Sequence, residues 1–371
     1  MKIAVFGHKR IPSREGGVEI VVGELSARMA AQGHRVTCYN RGGHHVSGTE
    51  FDAATASCWQ GVRLKTVPTL DKKGLAAVSS SFFAAVCCAF SGADVVHIHA
   101  EGPAFMCWLP KLFGKKVVVT VHGLDWQREK WKQGFGSKFI RWGEKMAVRH
   151  ADEIIVLSRN VQNYFQETYG RKTVRISNGV TRPELRPAGE ISRQFGLEKD
   201  SYLLFLGRLV PEKGIHYLLE AYQGMNTRKK LVIAGGASDT DSYVQSLKEM
   251  AAGNPNVVFT GFVQGELLEE LYSNAYAYVL PSDVEGMPLS LLEAMSYGNC
   301  CVVSDIPECT EVVEDRAVIF PRGDAAALGR CLQNLCDDAA AVAAYKANAR
   351  DFICEKYSWE EVTRQTLNLY A

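Results

Sequence analysis

A stretch long and apolar enough to cross a bilayer comfortably is missing from this 371-residue chain: its longest apolar run, Leu75 to Phe90, is interrupted by Ser79, Ser80 and Ser81. The run therefore reads as a buried helix feeding a strand at Asp94–His99. No secretory n-region or cleavage site precedes the first strand, which Met1-Lys2-Ile3-Ala4-Val5-Phe6-Gly7 enters directly. Eleven cysteines include two adjacent pairs, Cys87-Cys88 and Cys300-Cys301, yet no C-x-x-C. That spacing indicates neither a zinc site nor a disulfide framework. An odd number of thiols fits small, reduced, apolar residues of a cytosolic protein. The loop after the first strand holds no G-x-G-x-x-G, which counts against a dinucleotide-dependent oxidoreductase.

What is present is an ordinary α/β composition, 47% apolar and 22% charged, on a chain too long for one core. Two domains are the expectation. The net charge of +1 conceals a split: residues 1–182 carry 26 Lys and Arg against 14 Asp and Glu, and the remainder carries 16 against 27. A basic first half points to an anionic membrane surface or a pyrophosphate-bearing acceptor. Nucleic acid is the weaker partner, because no recognition motif accompanies the charge.

Two series of strand-then-helix units are legible. The first has strands at Lys2–Phe6, Arg35–Tyr39, Val62–Val67, Asp94–His99, Lys116–Val121, Glu153–Leu157 and Thr173–Ile176, with a clear helix over Val18–Gln32 that stops at Gly33. The second has strands near Tyr202–Leu206, Lys230–Ala234, Asn256–Thr260, Tyr276–Leu280, Cys300–Ser304 and Ala317–Phe320. Such alternation predicts parallel sheets covered on both faces. Pro183 and Pro187 mark the break, so the domains are expected over 1–182 and 183–357, with a final helix over 358–371. Facing doubly wound domains would turn their strand ends, and their ligand loops, into a shared cleft.

Four segments carry chemistry. Glu285-Gly286-Met287-Pro288-Leu289-Ser290-Leu291-Leu292-Glu293 follows an apolar strand. Pro288 suits the first helical position, leaving the N–H groups of Gly286, Met287 and Leu289 for phosphate or sugar oxygens. The alternative makes Glu285 a helix-start acid and Glu293 a solvated helix residue. Gly207-Arg208-Leu209-Val210-Pro211-Glu212-Lys213-Gly214 also leaves a strand and opens a helix. Arg208 can grip a diphosphate bidentately and Lys213 can add a point charge, unless the segment is a solvated turn with two stray cations. Gly16-Gly17 before the first helix, and the glycines of Gly235-Gly236 and Gly261-Phe262-Val263, allow backbone to approach a ligand closely. Last, His122-Gly123-Leu124-Asp125-Trp126-Gln127-Arg128-Glu129-Lys130-Trp131 leaves the strand Lys116–Val121. His97 and His99 on the preceding strand are expected to alternate in facing, with His99 nearer the cleft. From Trp126 to His150 seven Lys and Arg interleave with aromatics that include three of the six Trp. That segment suits either an anionic membrane surface or a packed helix with solvated charges.

The Glu285/Glu293 pair resembles the paired-glutamate motif of retaining glycosyltransferases of family 4, and Gly207–Gly214 resembles that family's G-R-L-x-x-x-K-G signature. The 122–131 segment is close to the H-G-L-[DE]-W-x-R-x-K-W pattern of a rhamnosyltransferase-like subgroup. The loop His8–Glu19 resembles that subgroup's glycine-rich loop, departing at Arg14-Glu15 and Val18. The resemblance implies a GT-B fold of two facing Rossmann-like domains, the first binding acceptor and the second a nucleotide sugar, with the last helix crossing back to the first. It further implies catalytic His122, Arg208, Lys213 and Glu285. Donor contacts would come from Gly16, Gly17, Gly236, Phe262, Val263, Gly286, Met287, Pro288, Leu289 and Glu293, and acceptor contacts from Arg14, Glu19, His99, Asp125, Trp126 and Arg128. The expected reaction is metal-free and cofactor-free transfer, with retention, from a nucleotide-diphosphate sugar. dTDP-L-rhamnose leads and UDP-hexoses follow; the acceptor is a polyprenyl-diphosphate-linked saccharide of capsule, cell-wall or exopolysaccharide synthesis. The enzyme would work at the inner face of the plasma membrane. Alternatives are a sugar-nucleotide epimerase of the same fold and a non-catalytic saccharide- or lipid-binding subunit.

Overall fold

The computed structural model describes residues 1–43, 56–70, 72, 74–127, 135–237 and 240–371, with Phe135 in its backbone only. The chain forms two compact units, Met1–Gly179 with Trp359–Ala371, and Val180–Ser358.

The first unit is built on an eight-stranded sheet in the order β3-β4-β2-β1-β5-β6-β7-β8. Its strands are β1 (Lys2–Phe6), β2 (Arg35–Arg41), β3 (Cys58–Trp59), β4 (Val62–Val67), β5 (Val95–His99), β6 (Lys116–Val121), β7 (Glu153–Val156) and β8 (Val174–Arg175). Every pairing is parallel except β3 with β4. Two-residue β3 is too short to leave an alternation in the sequence. Val95 to His99 is buried throughout, as in a strand covered on both faces, with His97 and His99 among its buried residues. Helices α1 (Gly17–Ala31), α2 (Leu75–Ala89), α3 (Glu101–Ala104), α4 (Trp108–Leu112) and α5 (Phe135–His150) supply much of that cover.

One expectation fails here. Helix α2 buries only the side that carries Ser80, Ser81, Ala84, Ala85, Cys88 and Ala89, while Leu75, Val78, Phe82 and Phe83 stand exposed. A helix lying on a sheet buries the stripe that touches it, and no further layer covers the other side among the described residues.

The second unit has a six-stranded parallel sheet in the order β11-β10-β9-β12-β13-β14. Its strands are β9 (Tyr202–Leu206), β10 (Lys230–Ala234), β11 (Val257–Gly261), β12 (Ala277–Leu280), β13 (Cys300–Ser304) and β14 (Val318–Phe320). Cys300, Cys301 and Cys309 are fully buried, the packing role expected of thiols in an apolar interior.

The terminal helix Trp359–Tyr370 belongs to the first unit. Glu360 pairs with Arg28 of α1 at 3.3 Å, and the Tyr370 hydroxyl meets Nδ1 of His97 on β5 at 2.6 Å. The five tryptophans among the described residues, at 59, 108, 126, 142 and 359, lie in the first unit, and their fluorescence reports on it.

Candidate functional site

In an open parallel sheet, ligands bind at the carboxyl ends of strands where the strand order reverses. The second unit reverses between β9 and β12, and the first between β1 and β5. Both reversals carry the side chains singled out by sequence.

At the β9/β12 reversal, β9 runs into Gly207-Arg208, a short 3-10 turn at Pro211–Lys213, Gly214, and the helix Ile215–Gln223. Strand β12 runs into Pro281–Glu285. The two turns are fastened together, the Asp283 N–H donating to the Glu212 carbonyl at 2.8 Å. Lys213 Nζ lies 2.6 Å from Glu285 Oε1, and the same oxygen accepts from the Ser282 hydroxyl at 2.7 Å. Ser304 in turn donates to the Ser282 carbonyl at 2.6 Å. Side-chain exposure is 13% for Lys213 and 8% for Glu285, so both charges are largely withdrawn from water and their attraction is weakly screened. A cation and an acceptor thus share one partly buried spot, 72 residues apart in sequence. Arg208 is half-buried in the same β9 loop.

The β10 and β11 loops lie alongside. Gly235, at φ +148°, comes so close to the Gly207 carbonyl that a Cβ would sit 1.8 Å from its oxygen. The Leu209 N–H donates to the Gly236 carbonyl at 3.0 Å. Phe262 is exposed and close to Gly236, whereas the Val263 side chain is buried. Pro288 is the N-cap of the helix Leu289–Ser296, one position earlier than expected. Its ψ of 104° is extended, because the chain is still turning out of the loop there. Met287 and Leu289 are buried apolar anchors of that loop. Glu293 accepts from the buried Tyr272 hydroxyl at 3.2 Å, which orients its carboxylate.

The first unit's reversal gathers histidines. His8 follows β1, His99 ends β5 and His122 follows β6; His99 Nδ1 and His122 Nε2 are 2.9 Å apart, one donating to the other. His97 and His99 share a face, their rings 4.2 Å apart, which corrects the expected alternation. Residues two apart on a strand point the same way. His97 is held between the Tyr370 hydroxyl and the Thr120 hydroxyl at 2.7 Å. His99 and His122 are both buried.

Burial drives the His8 pKa down to about 4, against the opposing hydrogen bond that His8 Nε2 donates to the Asn40 side-chain oxygen, and that of His97 to about 3, with His122 adding to the fall. His99 is held well below 6.5 by burial and then by the neighbouring His97 and His122. The native state therefore keeps these rings neutral while the unfolded chain protonates below its ordinary 6.5. Their contribution to stability is complete above about pH 6.5 and is lost as pH falls through about 4 for His8 and about 3 for His97. The urea midpoint followed by tryptophan fluorescence is expected to fall across that window. His97→Gln is expected to shallow the fall, and an unchanged slope would remove His97 from this account.

Glu101, at the start of α3, accepts the Asp125 N–H at 2.8 Å and so positions the turn after His122. Burial first, and then Asp125 and Glu144, raise its carboxyl pKa well above the usual range. Trp126 stacks under the Arg141 guanidinium at 4.5 Å. Arg128, Lys130, Trp131 and Lys132 lie outside the described residues. In α5, Phe139 packs on Phe105 and Ile140 is buried, while Lys138, Arg141, Trp142 and Lys145 are exposed. That is the packed helix with solvated charges, with Trp142 as its one exposed aromatic among the described side chains.

Gly16 is the N-cap of α1 and Gly17 its first residue. Buried Glu19 turns its carboxylate back over that helix start, accepting the Lys9 N–H at 2.9 Å and standing where a Cβ on Gly16 would be. A carboxylate there competes with a phosphate for the helix end. Arg14 is half-buried in the same loop. Sequence reasoning passed over Ser282, Tyr272, Glu101 and Tyr370. For Glu101 a signal existed, since it stands just beyond a strand's carboxyl end; for the other three only folding supplies the partner.

Two doubly wound parallel sheets, each bearing its chemistry at the reversal point, define the GT-B class of sugar-nucleotide glycosyltransferases. Two family profiles match: "Glycosyltransferase Family 4" over residues 15–182 and "Glycosyl transferases group 1" over 188–352. The chain belongs to glycosyltransferase family 4, a retaining and metal-independent family. Similar proteins include the alpha-maltose-1-phosphate synthase of Mycobacterium tuberculosis, 28% identical over 76% of this chain and 80% of that one. The O-antigen chain mannosyltransferase B of Escherichia coli is 35% identical over 48% of each. A solved structure of Anabaena HepE with UDP-glucose superposes with TM-score 0.81 at 17% identity, over 99% of this chain and 98% of that one.

Proposed function

We propose that the protein transfers a hexosyl group from a nucleotide-diphosphate sugar to a polyprenyl-diphosphate-linked saccharide in surface polysaccharide synthesis, at the cytoplasmic face of the membrane. The observation that carries the donor half is the Lys213–Glu285 contact at the strand reversal of the second unit. Lys213, held in place beforehand, and Arg208 bind the diphosphate, and each charge-assisted bond contributes about 1.5–3 kcal/mol. Glu285, held by Ser282, orients the transferred sugar together with the amides of Gly286–Leu289. Glu293 holds ribose hydroxyls, and the loops at Gly236 and Phe262-Val263 take the base. From the first unit, His122, steered by its hydrogen bond with His99, hydrogen-bonds a sugar hydroxyl. The C–O bond to the diphosphate breaks within an oxocarbenium-like ion pair. The acceptor oxygen then attacks on the same face, and its proton passes to the leaving diphosphate. Gly16 and Gly17 border the donor, while Arg14, Glu19, Asp125, Trp126 and Arg128 line the acceptor.

The 122–131 motif supports dTDP-L-rhamnose as donor. UDP-hexoses are supported by the UDP-glucose bound in HepE, and a polysaccharide acceptor by the O-antigen relative. Thermal-shift measurements with dTDP-rhamnose, UDP-glucose, GDP-mannose, UDP and dTDP decide among donors: a ligand at 100 times its Kd stabilises by about 2.7 kcal/mol. No shift with any of them sinks the donor assignment. Labelled donor then separates transfer to a lipid acceptor from epimer formation and from binding without turnover. EDTA is expected to leave transfer intact, because Lys213, Arg208 and a helix end supply the positive field. Inhibition reversed by added Mg²⁺ would overturn that.

A further inference from the structure

Of fourteen large apolar side chains standing exposed among the described residues, eight lie between Leu70 and Phe113. Four of them, Leu75, Val78, Phe82 and Phe90, recur at helical spacing along one side of α2 and its C-cap. Phe90 is 72% exposed and meets Phe113, just past the end of α4, edge-to-face at 4.7 Å. Nothing polar softens this side. From Leu75 to Phe90 there is no charged residue. Ser79, Ser80 and Ser81 turn their hydroxyls back onto the carbonyls of Leu75 and Ala77. A solvated helix ordinarily presents charge to water, and one apolar on both sides needs a second apolar phase.

Charge says what that phase is. Lys72 precedes α2, Lys111 of α4 pairs with Asp152, and Lys115 reaches back to the Ser91 carbonyl at 2.7 Å. Between Lys72 and Lys115 the acids are Asp94, which accepts the Lys2 N–H, and the buried Glu101. A second copy docking face to face would set these lysines against lysines.

We propose that the exposed side of α2, with Phe113, docks onto an anionic lipid bilayer, α2 lying in the plane of the interface. Its phenylalanines enter the boundary between headgroups and acyl chains, and the lysines at the rim meet lipid phosphates. This inference goes beyond the transfer reading and stands whether or not the acceptor is lipid-linked. It also moves membrane contact away from α5, whose described aromatics other than Trp142 turn inward.

Co-sedimentation of the full chain with vesicles of equal parts phosphatidylcholine and phosphatidylglycerol tests it. Binding is expected, weaker on phosphatidylcholine alone and weaker in high salt. Phe82→Ser, Phe83→Ser and Phe90→Ser together are expected to raise the lipid concentration for half-binding on the order of tenfold or more, with the circular dichroism spectrum unchanged. The unaltered protein provides a second readout. Cys87, exposed on α2, is expected to lose reactivity towards a bilayer-impermeant maleimide when vesicles are added, while exposed Cys58 on β3 keeps its own. Four results would each overturn the proposal: no vesicle binding, equal binding by the triple variant, an unprotected Cys87, or a lipid-free dimer that the triple variant abolishes.

Discussion

Lys213→Ala is expected to lower turnover at saturating donor on the order of 10²-fold or more. The ammonium sits beside Glu285 at 2.6 Å, on a turn pinned by the Glu212–Asp283 hydrogen bond, so it is held before the diphosphate arrives. A preorganised charge in a partly dehydrated place stabilises the negative charge that grows on the leaving group, and does so without reorganising. The cost falls on kcat more than on KM, because the ground-state diphosphate carries less charge than the departing one. Affinity for the product nucleoside diphosphate is expected to weaken in parallel. Removing Lys213 also strands the Glu285 carboxylate, to which Ser282 still donates, so Lys213→Ala with Glu285→Gln separates the two effects. If the loss came only from a stranded carboxylate, the double variant would recover activity. Unchanged donor turnover in Lys213→Ala would remove the diphosphate assignment altogether.

Gly214→Ala carries the second large effect, through the backbone. Gly214 has φ +66°, and a Cβ built on it would lie 2.0 Å from the Pro281 carbonyl oxygen. Left-handed backbone at a residue with a side chain costs about 1–3 kcal/mol, and collision with main chain rather than a movable side chain adds to it. A total near 3 kcal/mol or more is expected, lowering the Tm of the second unit by roughly 6–12 °C. Because Gly214 joins the Lys213 turn to the Pro281–Glu285 loop, the collision pushes apart the two strand ends that hold Lys213 against Glu285. Activity measured well below the Tm is then expected to fall as well, by on the order of tenfold. Calorimetry and initial rates on one preparation check both. A variant with unchanged Tm would show that the turn relaxes without strain.

Parallel sheets made the fold readable. Strands buried on both faces are written as continuous runs, such as Val95–His99 and Tyr202–Leu206, and the helices between them keep a 3.6-residue period. Lys213 and Glu285 were legible because each follows a strand within a motif. What a sequence does not state is which strand ends become neighbours. His97 and Tyr370 lie 273 residues apart, and only the return of the last helix to the first sheet brings them to 2.6 Å. Glu19 stands beside a glycine-rich turn in the sequence, and only the folded loop turns its carboxylate over the start of α1. The side chains of α2 were correctly read as apolar, and their burial was assumed from that. A helix's hydrophobicity is a property of its residues, whereas burial requires something on both sides.

The order of strands and helices, the glycine at each sharp turn, and the residue types able to hold a diphosphate were set by the sequence alone, since they follow from local sterics and apolar periodicity. The pairing of Lys213 with Glu285, the burial of His8, His97 and His99, and the side of α2 that stands exposed among the described residues were decided by tertiary structure. Each depends on which distant segments stack together, and the exclusion of water that shifts a pKa or shields a charge exists only after they do.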